Sequence, residues 1–480
     1  MRNILILFIL SLTSIAFTSN RPVKIRHKFD KNEMDISWGT RYFIHDLDDD
    51  GIGEFIIQSK RVFRVYRIDI PDREIALIQE FSIPDSNEFK GDAFYSHGNP
   101  GGKFEYAIVF IVNSGVYAFP LANGKFSEEP VKIHGPPPGM KFDKEGADLD
   151  YAEICLDFNG DGKEDVLVPT TKGIQLLSWE NDKVRNISLG APFQENIPTF
   201  ITDSPIEANL KKLRDNLRFL KRRDDAGFDL LRTRTGIWSK NKKCEIYRLN
   251  SKGEYSETPD QTFHLPRKSY PFFYDFNLDG DYDMLDVDLE RHSMNFRSNI
   301  RITYSGPSDS EPFTQTFVNR DPSGLALPAD HNGDGFNDLL MLSLNINMGS
   351  VDDIVKYMVG EKVEIILQIH YFDPKEKQFE MLPGTHISCD IQNKVGIDIN
   401  NQGDFNGDGM YDILLRTGED ECRIYSLNKN GVNKDAYAEL EINEDYYFSG
   451  EYIDSGPEHD LVFVSHKHNS AVFYIFQNDE

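Results

Sequence analysis

Asp404-Phe405-Asn406-Gly407-Asp408-Gly409-Met410-Tyr411-Asp412 runs straight into the apolar stretch Ile413-Leu414-Leu415. Oxygen-bearing side chains stand at positions 1, 3, 5 and 9 of this turn, and Gly at position 6 permits the sharp bend that wraps them around one point. Four more segments repeat the pattern D-x-[DN]-x-D-G-x-x-[DE]: DLDDDGIGE from Asp46, DFNGDGKED from Asp157, DFNLDGDYD from Asp275 and DHNGDGFND from Asp330. With a main-chain carbonyl at position 7, each set offers the roughly six to eight oxygens that calcium prefers.

The candidate ligands are Asp46, Asp48, Asp50, Ile52 and Glu54; Asp157, Asn159, Asp161, Lys163 and Asp165; Asp275, Asn277, Asp279, Asp281 and Asp283; Asp330, Asn332, Asp334, Phe336 and Asp338; and Asp404, Asn406, Asp408, Met410 and Asp412. The position-7 residues act through their carbonyls. One such segment alone also reads as a metal-free Asp/Asn/Gly turn. Five copies of one geometry favour about five calcium ions, because carboxylates crowded into a turn repel one another unless a cation neutralises them. An EF-hand is excluded: position 12 is Ile57, Val168, Asp286, Met341 and Leu415, not a bidentate Glu, and the residues after position 9 are strand-like. Each loop therefore joins two strands of a hairpin.

The loops begin 111, 118, 55 and 74 residues apart, so the first two intervals each conceal a unit without the motif. In the first, Asp92 to Tyr95, the turn Ser96 to Gly102 and Tyr106 to Phe110 form a degenerate copy; in the second, Pro198 to Thr202 and Asp229 to Arg234 flank an insertion. Tyr452 to Phe463 is one more copy, with ligands missing. Each unit also carries a third alternating strand: Val62 to Ile68, Gly115 to Pro120, Gly173 to Trp179, Cys244 to Leu249, Ile300 to Tyr304, Val363 to Tyr371, Cys422 to Leu427 and Ala471 to Phe476. The expectation is an all-β chain: a β-propeller of eight four-stranded antiparallel blades, with seven as the alternative. One domain spans residues 21–480. Its last blade is a strand short, and Val23 to Phe29 supplies the missing one.

These loops resemble the FG-GAP and VCBS repeats of propellers similar to integrin α-subunits, over essentially all of the chain after residue 20. The resemblance implies that calcium loops join the first two strands of a blade on one face of the disc. It also implies that ligands meet the opposite face.

Residues 1–18 read as a secretory signal peptide: Arg2 precedes an apolar run from Ile4 to Phe17 that is shorter than the roughly 20 residues of a membrane span. The expected location is secreted, periplasmic or cell-surface. A net charge of −27, from 79 acidic and 52 basic residues, disfavours a nucleic-acid partner. Cys155, Cys244, Cys389 and Cys422 lack metal spacing and read as unpaired strand residues, although the compartment permits a disulfide.

Within residues 203–228 a helical insertion is expected over 204–223. Ser204 and Glu207 make a capping box, and Ile206, Leu210, Leu213, Leu217 and Leu220 recur at helical spacing. Its basic face could touch a membrane surface or pack on the acidic loops. Insertions at Asp286 to Asn299 and Ser343 to Lys362, with a short helix around Val351 to Met358, and the loop His134 to Gly139 fall on the face opposite the calcium loops. No catalytic motif is present. The favoured reading is an exported module binding a protein or glycan, with calcium structural. The alternatives are a polysaccharide lyase-like enzyme and a structural subunit of an envelope assembly.

Overall fold

The computed structural model describes residues 22–477 except 30–40, 92, 103, 137–148, 153, 171–172, 181–182, 189–216, 223–226, 236–238, 251–254, 268, 270, 293–294, 306–311, 320–324, 345–349, 351–354, 356–360, 393–398, 429–430, 434, 443–445 and 466. The signal-like segment lies outside the described residues.

Every apolar run that follows a motif loop is the second strand of a four-stranded antiparallel blade. Blades 1 to 8 have their second strands at Glu54–Ser59, Ala107–Val112, Asp165–Thr170, Phe228–Thr235, Asp283–His292, Asp338–Leu344, Asp412–Arg416 and Asp460–Ser465. Third strands fall on all eight expected segments, at Val62–Asp69, Gly115–Ala122, Gly173–Glu180, Asn241–Tyr247, Asn295–Tyr304, Lys362–His370, Glu421–Tyr425 and Ser470–Ile475. Most second strands are nearly continuous apolar runs because a blade's middle is covered on both faces by its neighbours; those of blades 4 and 5 interleave charged residues. Ala107–Val112 and Asp460–Ser465 are buried at every residue.

Apolar side chains from adjacent blades meet all the way around. Blades 1 and 2 share Phe63, Phe110 and Phe119; blades 2, 3 and 4 share Val109, Val166 and Leu230. Blades 4 and 5 meet at Ile246 and Met284, 5 and 6 at Ile302 and Leu339, 6 and 7 at Leu342 and Ile413, and 7 and 8 at Leu414 and Phe463. Blades 8 and 1 complete the circle through Phe473, Phe55 and Ile25. The closing strand Val23–Lys28 pairs antiparallel with Ser470–Ile475, from Val23 opposite Ile475 to Lys28 opposite Ser470. Beyond it, Phe29 N–H donates to the Asn469 carbonyl and Asn469 Nδ2 donates back to the Phe29 carbonyl, both at 2.9 Å.

Two expectations change. The leucine spacing predicts a helix through Leu217 and Leu220, but Leu217–Lys221 is the first strand of blade 4, paired with Phe228–Thr235. The spacing of these leucines fits either period. Pairing to a strand that otherwise lacks an inner neighbour, with Phe219 against Phe158 at 4.7 Å, decides for the sheet. The rest of the expected helix, 204–216 and 223, lies outside the described residues, as does Pro198 to Thr202. Asp286 to Asn299 is not a loop: blade 5 continues as two ten-residue strands, Asp283–His292 and Asn295–Tyr304, paired as far as His292 opposite Asn295. Blade 2 also gains an inner strand that the sequence does not announce, Leu149–Tyr151, parallel to Ala93–Gly98. Of the short helix expected around Val351, only Val355 is described, and it is helical.

All four cysteines are unpaired. No helix among the described residues is long and apolar enough to cross a membrane.

Candidate metal centres

Each motif loop joins the first and second strands of its blade, so all five open on one face of the disc. The turns between second and third strands, and the connections between blades, lie on the other. Main-chain hydrogen bonds give the five loops one shape. The position-6 Gly N–H donates to the position-1 Asp Oδ2 at 2.8–3.0 Å, from Gly51 to Asp46, Gly162 to Asp157, Gly280 to Asp275, Gly335 to Asp330 and Gly409 to Asp404. The position-7 N–H of Ile52, Lys163, Asp281, Phe336 and Met410 donates to the position-5 Oδ1 at 2.8–2.9 Å. These bonds turn the side chains of positions 1 and 5 inward. Gly at position 6 is needed because φ is +80 to +88° there in all five, a conformation costly for residues with a Cβ.

In blade 1 the loop gathers three carboxylates: Asp46, Asp48 and Asp50 place one oxygen each within 4.8 Å of one another. Asp46 Oδ1 is buried without a hydrogen-bond partner, and a buried unpaired carboxylate oxygen is costly unless a cation meets it. The other four loops carry Asn159, Asn277, Asn332 and Asn406 at position 3. Each Asn Oδ1 accepts the position-5 N–H at 2.8–3.0 Å. Each Asn Nδ2 donates to the position-5 Oδ2 at 3.1–3.3 Å. The amide removes one negative charge and holds the position-5 carboxylate toward the loop centre. This all-oxygen donor set suits a hard cation and not a soft one.

Position 9 does more than sequence reasoning assigned to it. Glu54, Asp165, Asp283, Asp338 and Asp412 are each the first residue of a second strand and almost wholly buried. One carboxylate oxygen accepts the position-2 N–H in four loops: Leu47 to Glu54, Phe276 to Asp283, His331 to Asp338 and Phe405 to Asp412, at 2.9–3.1 Å. In three of them the second oxygen accepts an N–H just beyond the third strand: Ser305, Phe372 and Leu427. The group pins the loop to the blade, and its remaining lone pairs stay available to a cation. Burial pushes the Asp283, Asp338 and Asp412 carboxyls up to about 8. Burial, with Asp161 and Asp157 adding to it, lifts Asp165 to about 7. The Ser178 hydroxyl and Phe158 N–H moderate that rise, yet neither Asp165 oxygen has a well-formed hydrogen bond.

In blades 2 and 4, which lack the motif, protein groups hold the corresponding turns. In blade 2, Asn99 N–H donates to Glu164 Oε2 at 2.6 Å and Gly101 N–H to the Glu164 carbonyl at 2.7 Å, so the loop of blade 3 holds the turn of blade 2. In blade 4, Asp229 repeats the pin: Oδ1 accepts the Leu249 N–H at 3.0 Å, and Oδ2 accepts the Tyr282 hydroxyl of blade 5 at 3.1 Å. Glu164 sits at position 8, which the motif leaves free, so no spacing rule could have selected it.

Neighbouring loops are also tied to one another. Tyr411 N–H donates to the Asp330 carbonyl at 3.3 Å, His459 N–H to the Asp404 carbonyl at 2.7 Å and Gly53 N–H to the Ile453 carbonyl at 2.6 Å. These bonds link blades 6, 7, 8 and 1 in sequence across the point of closure.

No family model matches the sequence, and no curated protein matches it. Solved structures resemble it weakly. A lectin of Agrocybe aegerita, described as recognising non-reducing terminal N-acetylglucosamine, is 13% identical with a TM-score of 0.42, over 91% of this chain and 100% of that one. Sqt1 of Saccharomyces cerevisiae is 7% identical with a TM-score of 0.34, over 92% and 100%. The Nup133 β-propeller domain of Vanderwaltozyma polyspora is 8% identical with a TM-score of 0.35, over 91% and 99%. At these scores the eight-bladed architecture rests on the strand pairing alone.

Proposed function

We propose that this chain is an exported β-propeller whose five motif loops hold structural calcium, in the manner of the FG-GAP and VCBS repeats its sequence resembles, and whose opposite face binds a protein or glycan. The observation that carries the reading is the shared loop template. Five loops share the main-chain bonds to positions 1 and 5, and in blade 1 the Asp46, Asp48 and Asp50 oxygens come within 4.8 Å of one another with a buried Asp46 oxygen that lacks any hydrogen-bond partner. Calcium would be held by positions 1, 3 and 5, the position-7 carbonyl and the free lone pairs of position 9. Its role would be to neutralise the crowded carboxylates and fix the loop.

Recognition is assigned to the opposite face because the calcium face is committed to these sites and to the bonds between them. The opposite face carries the turns between second and third strands and the connections between blades, and loops positioned by a rigid scaffold are where binding residues concentrate. The signal-like first residues support export.

The deciding experiment is thermal unfolding with calcium and with excess chelator, beside isothermal titration of the stripped protein. Calcium should raise the melting temperature and bind with a stoichiometry of several ions per chain. Identical melting curves in calcium and in chelator would overturn the reading.

A further inference from the structure

Blade 8 appears to the motif as a loop that has lost its ligands: position 1 is Tyr452, position 5 is Gly456 and position 6 is Pro457. Its backbone nonetheless follows the template. Ile453 N–H, at position 2, donates to Asp460 Oδ2 at 2.8 Å, and Asp460 Oδ1 accepts the Phe476 N–H beyond the third strand at 2.8 Å. Gly456 N–H donates to Asp454 Oδ1 at 2.9 Å, the same bond that position 5 makes to position 3 in the Asn-bearing loops.

The departure lies at position 7, where the regular loops contribute only a carbonyl. Glu458 stands there, 3% exposed. Its Oε1 is buried and has no hydrogen-bond partner. Among the described residues no ion pair reaches it. Its Oε2 lies 2.7 Å, and Asp454 Oδ1 2.8 Å, from the point a Cβ on residue 456 would occupy. The Glu458 carboxylate therefore enters the space that a position-5 aspartate takes in the other loops, and Gly at 456 is what leaves that space open.

We propose that the blade 8 loop is a sixth calcium site, in which the Glu458 carboxylate, reaching back from position 7, replaces the missing position-5 ligand and joins Asp454. A carboxylate buried beside a second one, with an oxygen left unsatisfied, is costly to keep charged unless a cation meets it. The all-oxygen set selects a hard divalent cation. The inference rests on the calcium reading of the five regular loops.

The test is the metal content of the intact protein, measured by mass spectrometry after equilibration with calcium and removal of unbound ions. Wild type should hold one ion more than its regular loops provide. Glu458→Gln should hold one fewer than wild type, as should Asp408→Ala in blade 7. Glu458→Ala should lose the same ion, and adding Gly456→Asp to it should restore that ion by returning the carboxylate to position 5. A wild-type count that Asp408→Ala lowers and Glu458→Gln does not would overturn the sixth site alone, with water the occupant. A wild type that retains no calcium would overturn the reading of all the loops.

Discussion

Closure of the ring is where a small perturbation should have the largest effect. Val23–Lys28 is the outer strand of blade 8, yet it comes from the opposite end of the chain, and it buries Ile25 and, just beyond it, Phe29. Ile25 joins Phe55, Ile57, Val464 and Phe473 in the core between blades 8 and 1. Phe29 packs edge-on against Tyr66 at 5.3 Å and stacks on Phe55 at 6.4 Å. Burial of two such side chains contributes about 3–6 kcal/mol, a large part of the roughly 5–15 kcal/mol that separates a folded domain from its unfolded chain. Removing residues 1–30 should therefore lower the urea midpoint sharply. A synthetic peptide of residues 21–30 should raise it again in a concentration-dependent way, since a partner that binds only the folded state stabilises it by mass action. Should the truncated chain fail to accumulate, Ile25→Ala serves the same purpose, with an expected loss of about 2–5 kcal/mol. Arg26→Ala, on the exposed side of the same strand, should stay within about 0.5 kcal/mol. A truncated protein that unfolds at the parent's midpoint, or equal costs for Ile25→Ala and Arg26→Ala, would refute closure by this strand.

Position 9 and position 5 should separate under chelation. Asp412→Ala leaves the buried Phe405 and Leu427 N–H groups without an acceptor, at about 1–3 kcal/mol each, so it should lower the urea midpoint with or without calcium. Asp408→Ala, on the exposed side of the loop, should do so only with calcium present; equal effects of both variants in chelator would contradict the division. His97 gives a pH test. Burial, with His45 adding a smaller like-charge effect, lowers it to about 4, its Nδ1 lying 2.6 Å from the Tyr106 hydroxyl and its ring 4.0 Å from Phe43. The neutral ring is the folded form, so its contribution is complete above about pH 6.5 and is lost as pH falls toward 4, by roughly 3 kcal/mol. His97→Gln should flatten that limb of the stability profile, and an unchanged slope between pH 7 and 4.5 would exclude His97 as its source. Gly101→Ala should be severely destabilising, because φ is +66° there and a Cβ would lie 2.2 Å from Trp179 Cγ; a midpoint within experimental error of wild type would show that the turn of blade 2 does not rest on Trp179.

Much of this architecture is legible in the sequence because its loops are built from backbone-directing residues at fixed spacing. Asp at position 1, Asp or Asn at position 3 and Gly at position 6 each specify one bond or one backbone angle, and an apolar run after position 9 specifies a strand covered on both faces. Counting third strands then exposes the blades that lack the motif, and the odd strand at each end exposes the closure. What escapes is whatever long-range pairing decides. Leu217 to Lys221 carry no alternation that rules out a helix, and only Phe228–Thr235 makes them a strand. Leu149–Tyr151 is three residues long and pairs in parallel, so no periodicity can reveal it. Glu164 and Glu458 occupy positions the motif leaves variable; their roles depend on what stands across a blade boundary or across a glycine, which no spacing encodes.

The motif also misdirects in one respect, since it presents each loop as a self-contained site. The Asp404 carbonyl, on a residue whose carboxylate is a candidate ligand, accepts the His459 N–H of blade 8, and Asp404 N–H donates to His459 Nδ1 at 3.1 Å. The Ile453 carbonyl of blade 8 accepts the Gly53 N–H of blade 1 in turn. A cation that fixes the loop of blade 7 thus fixes an acceptor used by blade 8, which presents its own loop to blade 1. The blades so connected are those that the N-terminal strand must close. Calcium on this face would therefore act less as a set of separate braces than as a belt across the seam. A face whose main-chain groups are engaged in holding the ring together has little freedom to vary with a ligand, whereas the opposite face, built from turns and inter-blade connections, can change without opening it.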